Sequence, residues 1–370
     1  MKTLVKPATI ALAFLLIGGL LLVTTANSSA QAPTTGSIGI GNLTARIIAY
    51  PGEIISGQVN ATGFTFGVYI GPGVTGVLIY HAHIFGADDH GIVAVDTSGI
   101  SVMYSNISYD VLHPVPSILD HKAVGFYGVS NSYIIGNTIT HNVGDGGIAV
   151  YSSSSLVPTG LPIPNANSSG DNNFIADNYV ANDASGCGIV VAAWGPGMSV
   201  SNNWIFRNTV IGSILTPHGP TGFNVGTIVV AADFPFSRAV DNVVLNNTVI
   251  GGLEDGIIVN AVAPGAADIG NEIWANYVEL GAFQRINNPP FDNASDLDLA
   301  PAPNAIAIIA DMTPQNTHPA PPVAQGNTVI DNIIVNEAVG IWVANANGGL
   351  YLDNTFQNVT INFQSFTGVG

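Results

Sequence analysis

The string IFRNTV (205–210) recurs along the chain as VLNNTV (244–249), IWANYV (273–278), VIDNII (329–334) and YLDNTF (351–356), and earlier as IIGNTI (134–139) and IADNYV (175–180). Each copy sets one apolar residue three before a central asparagine and another two after it. A second string, a short apolar strand usually opened by glycine, alternates with the first: GIVAV (91–95), GIAV (147–150), GIVV (188–191), TIVV (227–230), GIIV (256–259), AIAII (305–309) and GIWV (340–343). Turns rich in Gly, Pro, Ser and Asn lie between them, such as GPGM (195–198) and NANGG (345–349). The order is strand, turn, strand, asparagine corner, short strand, variable loop. Every segment is too short, and too rich in Val, Ile, Asn and Gly, for helices.

The corners at Asn332 and Asn354 are 22 positions apart, and longer gaps contain insertions. A coil of about 22 residues in three short strands, stacked at about 4.8 Å per coil, is a parallel β-solenoid. One coil cannot bury its own apolar face, so stacking supplies the core. The corner asparagines are expected to adopt the left-handed conformation and to bond to the coils on either side.

On these strings, over roughly residues 65–360, the chain resembles the right-handed parallel β-helix repeat proteins of the pectin lyase-like superfamily. The resemblance implies an all-β, single-stranded right-handed solenoid of about nine or ten three-strand coils. It is specific for fold and weak for function, because this architecture hosts lyases, glycosidases, epimerases, tailspikes and adhesins alike.

The flanks are read separately. Lys2 and Lys6 precede an apolar run from Ala8 to Val23 and then TTANSSAQA, the pattern of a secretion signal over residues 1–30. An uncleaved N-terminal anchor is the alternative, and the one expected route to a membrane. Residues 31–64 are expected to cap the front of the solenoid and 65–370 to form it. The expected location is secreted, extracellular or at the cell surface. The formal net charge is −17, and beyond the leader the only basic side chains besides histidine are Lys122, Arg46, Arg207, Arg238 and Arg285. That balance excludes nucleic acid as a partner. The single cysteine, Cys187, rules out an internal disulfide.

The catalytic sets of the resembled family do not transfer intact. Asp88–Asp89 match the paired aspartates of the galacturonan hydrolases, but the following string is D-H-G rather than G-H-G and no R-x-K occurs. The aspartate–proline–histidine string of the uronate epimerases is absent. Copper handling lacks ligands in a chain with one Cys and four Met.

Registering the coils gives a more local candidate. Ile92, Val124 and Ile148 fall in one slot, which aligns Asp88 with Asp120, Asp89 with His121 and His90 with Lys122, while Asp145 falls in line with Asp89 and His121. These seven residues, Asp88, Asp89, His90, Asp120, His121, Lys122 and Asp145, are the catalytic candidates. The carboxylates of Asp88, Asp89, Asp120 and Asp145 would suit Ca²⁺ as cofactor, and a base beside such a cation suits β-elimination from a uronate sugar. A carboxylate pair would instead suit glycoside hydrolysis. The competing reading places these residues on a solvated rim with no chemistry. His81 and His83 have the alternate spacing of half a metal site and aim outward if Ala82 holds the corner. The expected partner is a polysaccharide, with a structural or adhesive surface protein as the alternative. The outward slots Val93, Ala149, Val190, Ile258 and Trp342 are apolar, so that sheet face needs a cover. Self-assembly through this face, or through a solenoid end, is the further expectation.

Overall fold

The computed structural model describes residues 34–39, 42–110, 121–142, 147–153, 168–181, 187–212, 226–252, 255–281, 304–310 and 321–366. The described residues form a parallel β-solenoid. A twelve-stranded sheet collects the glycine-opened strands, from Thr44–Ile48 and Phe66–Ile70 through His90–Ser98, Val124–Ser130 and Ile148–Ser153 to Val339–Ala344 and Ile361–Phe366. An eighteen-stranded sheet collects the two short strands that flank each asparagine corner, such as Trp204–Phe206 and Thr209–Ile211. The register is direct: Ile92 pairs with Val124, Val124 with Ile148 and Ile148 with Ile189.

Two features were not in the three-strand expectation. A five-stranded sheet, beginning at Ser199–Ser201 and Arg238–Val240, gives the later coils a fourth short strand at the turn after the long sheet. Parallel pairing also starts earlier than residue 65. Thr44–Ile48 and Ile54–Asn60 already pair in parallel with Phe66–Ile70 and Leu78–Phe85, so they form the first coil. What remains of the N-terminal cap is the strand Thr34–Ser37, which runs antiparallel to Thr44–Ile48 and occupies the front edge of the long sheet.

The interior is one ladder of Ile, Val and Ala columns. Val102, Ile134, Ile175, Ile205, Val244, Ile273 and Val329 are stacked coil upon coil and buried. At the last coil the column residues become aromatic: Tyr351 pairs with Val329, Phe356 with Ile334 and Phe363 with Ile341. The outward face of the long sheet is a second apolar cluster, including Val93, Tyr127, Ala149, Tyr151, Val190, Ile258 and Trp342, all buried. The expected cover therefore exists. The long insertions 152–173, 282–303 and 311–326, the chain's own candidates for that cover, lie mostly outside the described residues. Where the first returns, Ser168 donates its hydroxyl to Asp96 and Ser130 donates to the Ser169 carbonyl (2.7 Å).

Asparagine sets the corners, in two ladders rather than one. The expected row is continuous from Asn137 to Asn354. In it Asn178 Nδ2 donates to Asn208 Oδ1 at 2.9 Å and to the Ile134 carbonyl at 2.9 Å, while Asn208 Oδ1 also accepts the Asn178 backbone N–H at 3.0 Å. A second row five residues upstream joins Asn173, Asn203, Asn242, Asn271 and Asn327 in the same way. These side chains are buried, apart from the half-buried Asn354 at the end of the row, and each amide group is satisfied, as a buried polar group must be. The left-handed expectation is corrected by one position. The residue before each ladder asparagine carries the positive φ, as at Asp177 (56°), Arg207 (52°), Ala275 (54°) and Asp331 (56°). The asparagine itself must aim its amide inward along the stack, so its neighbour makes the turn.

Candidate functional site

Asp89 and His90 lie where the loop after the second coil enters the strand His90–Ser98, and His121 and Lys122 hold the matching place one coil on. Backbone bonds fix the approach: Asp88 and Asp89 donate their N–H groups to the carbonyls of Phe64 and Thr65 (2.9 Å each). Asp89 then accepts from two imidazoles, His90 Nδ1 at 2.5 Å on one oxygen and His121 Nδ1 at 3.0 Å on the other. His90 Nε2 meets the Tyr127 hydroxyl at 2.8 Å, and the His90 ring packs edge-on against Phe66 and Tyr127. A neutral imidazole donating from Nδ1 accepts at Nε2, so the Tyr127 hydroxyl donates to His90.

The sequence alignment of Asp89 with His121 is thus met by a direct contact. For three of the seven residues the solvated position expected on the rim is corrected: Asp89 and His90 are fully buried and Lys122 is 2% exposed. The reason is that polar groups entering a covered sheet face leave water and must satisfy one another. His121, with its side chain 20% accessible, and Asp88 are the half-buried members of the set. Asp120 and Asp145 lie outside the described residues. Among the described residues no group of three or more His, Cys, Asp or Glu side chains is arranged to hold a metal. Both oxygens of Asp89 already serve imidazoles, which leaves the Ca²⁺ expectation to Asp88, Asp120 and Asp145.

His81 is exposed, His83 is half-buried and Ala82 is buried in the corner, as the spacing anticipated. Their surroundings are aromatic rather than ligating: His81 stacks on Tyr104 with ring centroids 5.9 Å apart, and His83 lies against Phe85 at 4.9 Å. Tyr109 and His141 form a further stacked pair at 4.9 Å, one coil apart, at the corner that feeds Asp88.

Two functional features escaped the sequence reading. Tyr127 is the fourth residue of the strand Val124–Ser130 on the next coil, and only the register, which makes it the partner of Val95, brings its hydroxyl to His90. Asp110 is buried beneath Gly91; one carboxyl oxygen accepts the Ala87 N–H at 2.8 Å and the other has no hydrogen-bond partner. Burial pushes its carboxyl up to about 7. A similar pair lies in later coils. Asp268 is buried with neither carboxyl oxygen hydrogen-bonded, and burial together with the charge of Asp233 holds it well above the usual carboxylate range. Burial pushes Asp233 up to about 7.

No protein-family model matches the chain, and no curated protein matches it. Solved structures similar to it include an alginate lyase from Paenibacillus sp. str. FPU-7, at 15% identity and TM-score 0.41, covering 87% of this chain and 90% of that one. PfbA, a surface adhesin of Streptococcus pneumoniae, is similar at 12% identity and TM-score 0.41, covering 85% and 82%. The A-module of the Azotobacter vinelandii mannuronan C-5 epimerase AlgE4 is similar at 11% identity and TM-score 0.34, covering 90% and 88%. None of these likenesses carries a residue or an activity across. The coil-on-coil parallel register and the asparagine ladders make the chain an all-β parallel β-solenoid.

Proposed function

We propose that this is a secreted or surface-displayed protein that acts on an acidic polysaccharide by β-elimination, with His121 as its base. The observation that carries the reading is the bridging carboxylate of Asp89, which holds both His90 and His121 by Nδ1. A carboxylate on Nδ1 fixes the tautomer that makes Nε2 the basic nitrogen, and it stabilises the imidazolium that forms when that nitrogen takes a proton. Of the two histidines, His121 is the one solvent reaches. In the reaction His121 would remove the proton next to the uronate carboxyl. The electron pair forms the ring double bond, and the glycosidic oxygen leaves with a proton from solvent or a neighbouring acid.

Hydrolysis is favoured less, because it needs two carboxyl groups free to act and both oxygens of Asp89 are engaged. Asp88, with Asp120 and Asp145, is the set that would hold Ca²⁺ against a substrate carboxylate, and the stacked Tyr109–His141 pair would border the sugar.

The test is a panel of acidic and neutral polysaccharides, with and without Ca²⁺, followed for binding and for the ultraviolet absorbance of unsaturated product. Wild type is expected to release product from at least one uronate polymer. His121→Ala is expected to lose at least about a hundredfold in rate while retaining binding. Undiminished product from folded His121→Ala sinks the proposal. Binding without product from any polymer assigns the protein to the adhesive class instead.

A further inference from the structure

The two ends of the solenoid are built differently. At the front, Thr34–Ser37 covers the edge of the long sheet in antiparallel register. At the back, Ile361–Phe366 pairs on one side with Val339–Ala344 and is the last strand of its sheet among the described residues. Its sequence, INFQSF, has no charge, no proline and no glycine. Such a segment on an open edge is the pattern that pairs with a further strand, and proteins usually guard it with lysine, proline or a bulge.

The chemistry around this strand is that of a protein interface. Tyr351, Phe356 and Phe363 replace the aliphatic columns, with the Tyr351 and Phe363 rings 5.3 Å apart. Phe363 remains 45% exposed although it continues a core column. Asn354, Gln357, Asn358, Thr360 and Gln364 form a neutral polar rim, and Asp353 is the one charged residue in 350–366. An aromatic centre, a polar rim and depleted charge distinguish interfaces from ordinary surface.

We infer that the back end is a dimer interface, in which Ile361–Phe366 of one copy pairs antiparallel with the same strand of a second copy about a two-fold axis. Charge selects a second copy at this place. Two chains of net charge −17 repel over most of their surface, and this end is a nearly neutral patch on which they can meet. A two-fold pairing uses the back end of both copies at once, so the assembly closes at two copies instead of growing into a filament. This inference is independent of the proposed elimination activity.

Sedimentation velocity of the full secreted chain over a range of concentrations tests it. Wild type should show twice the monomer mass. Phe363→Lys, which buries a charge in the joint, should raise the dissociation constant by at least about thirtyfold. Gln364→Lys alters a half-buried side chain on the same strand, the neighbour of Trp342 in the outer column, and should weaken the dimer, with circular dichroism checking that the coil stays folded. Ile54→Lys, at the exposed front, should leave it unchanged. A wild-type monomer at every concentration overturns the inference, as does mass that keeps growing with concentration. So does a dimer that persists at wild-type strength in folded Phe363→Lys and folded Gln364→Lys.

Discussion

A ladder asparagine does four things at once, where the serines that hold the same place in the early coils, Ser105 and Ser132, accept one backbone N–H and donate to one carbonyl. Asn208 accepts the Asn178 backbone N–H and amide through one oxygen, and it donates to Asn247 Oδ1 (3.0 Å) and to the Ile175 carbonyl (2.9 Å). Asn208→Ala orphans groups on two coils, and each buried unsatisfied group costs on the order of 1–3 kcal/mol. Urea unfolding should therefore show a loss of about 3 kcal/mol or more, and Asn208→Asp, which keeps the acceptor but not the donor, should not restore it. The turn residue beside the ladder behaves oppositely. Ala275 holds a φ of 54°, which an L-residue with a Cβ adopts at a penalty. Ala275→Gly should raise stability by up to about 1 kcal/mol in the same experiment, the relief from strain being partly offset by a more flexible unfolded chain. The first ladder was legible because its asparagines recur between fixed apolar residues. The second hid in strings such as DNNF and SNNW, which read as turn composition. The five-residue spacing from each corner is the signal that would have found it.

At the scale of the strand, the glycine that opens most rungs of the long sheet is imposed by its surroundings, in several of them by the backbone of the next rung. A Cβ on Gly147 would lie 1.8 Å from the Gly188 carbonyl oxygen, one on Gly256 2.5 Å from that of Ala305, and one on Gly67 2.4 Å from that of Gly91. These are backbone atoms, which cannot turn aside. Gly188→Ala is expected to be severely destabilising, because its Cβ would meet Val210 Cγ1 at 2.3 Å and the Thr227 carbonyl at 3.1 Å. Gly197→Ala, at a φ of 70° with open space around it, should cost only about 1 kcal/mol. Thermal melts of the pair check the contrast. The glycine column was visible in the sequence as the opening of GIVAV and GIIV, but its cause was not. The same limit applied to the site. The register predicted that Asp89 and His121 meet, whereas their burial depended on what covers the sheet, which no local pattern encodes.

At the scale of the whole chain, the buried acids set the response to pH. Asp110 and Asp233 are pushed from 3.8 up to about 7, and Asp268 is raised well above 3.8. Between those values the folded chain holds more protons than the unfolded one, so stability falls as pH rises. The contribution is fully present below about pH 4 and is lost progressively toward pH 7. Urea midpoints should decline over that window, with Asp110→Asn and Asp268→Asn each flattening the slope; a midpoint that climbs from pH 4 to 7 contradicts the assignment. These acids were not legible in the sequence, because Asp110 and Asp268 look like ordinary loop residues until the coils are stacked.

The ladders have one more consequence. Asn276 and Asn332 are 56 residues apart in sequence and bond at 3.0 Å, while Asn332 and Asn354 are 22 apart and bond at 2.9 Å. Distance along the chain is thus uncoupled from distance in space, since closing a longer loop adds only slowly to the entropy cost. Selection can lengthen, shorten or exchange the segments between rungs while the frame keeps its metre. Foreign peptides of very different length, grafted between Leu280 and Asn304, should all be carried by the same frame.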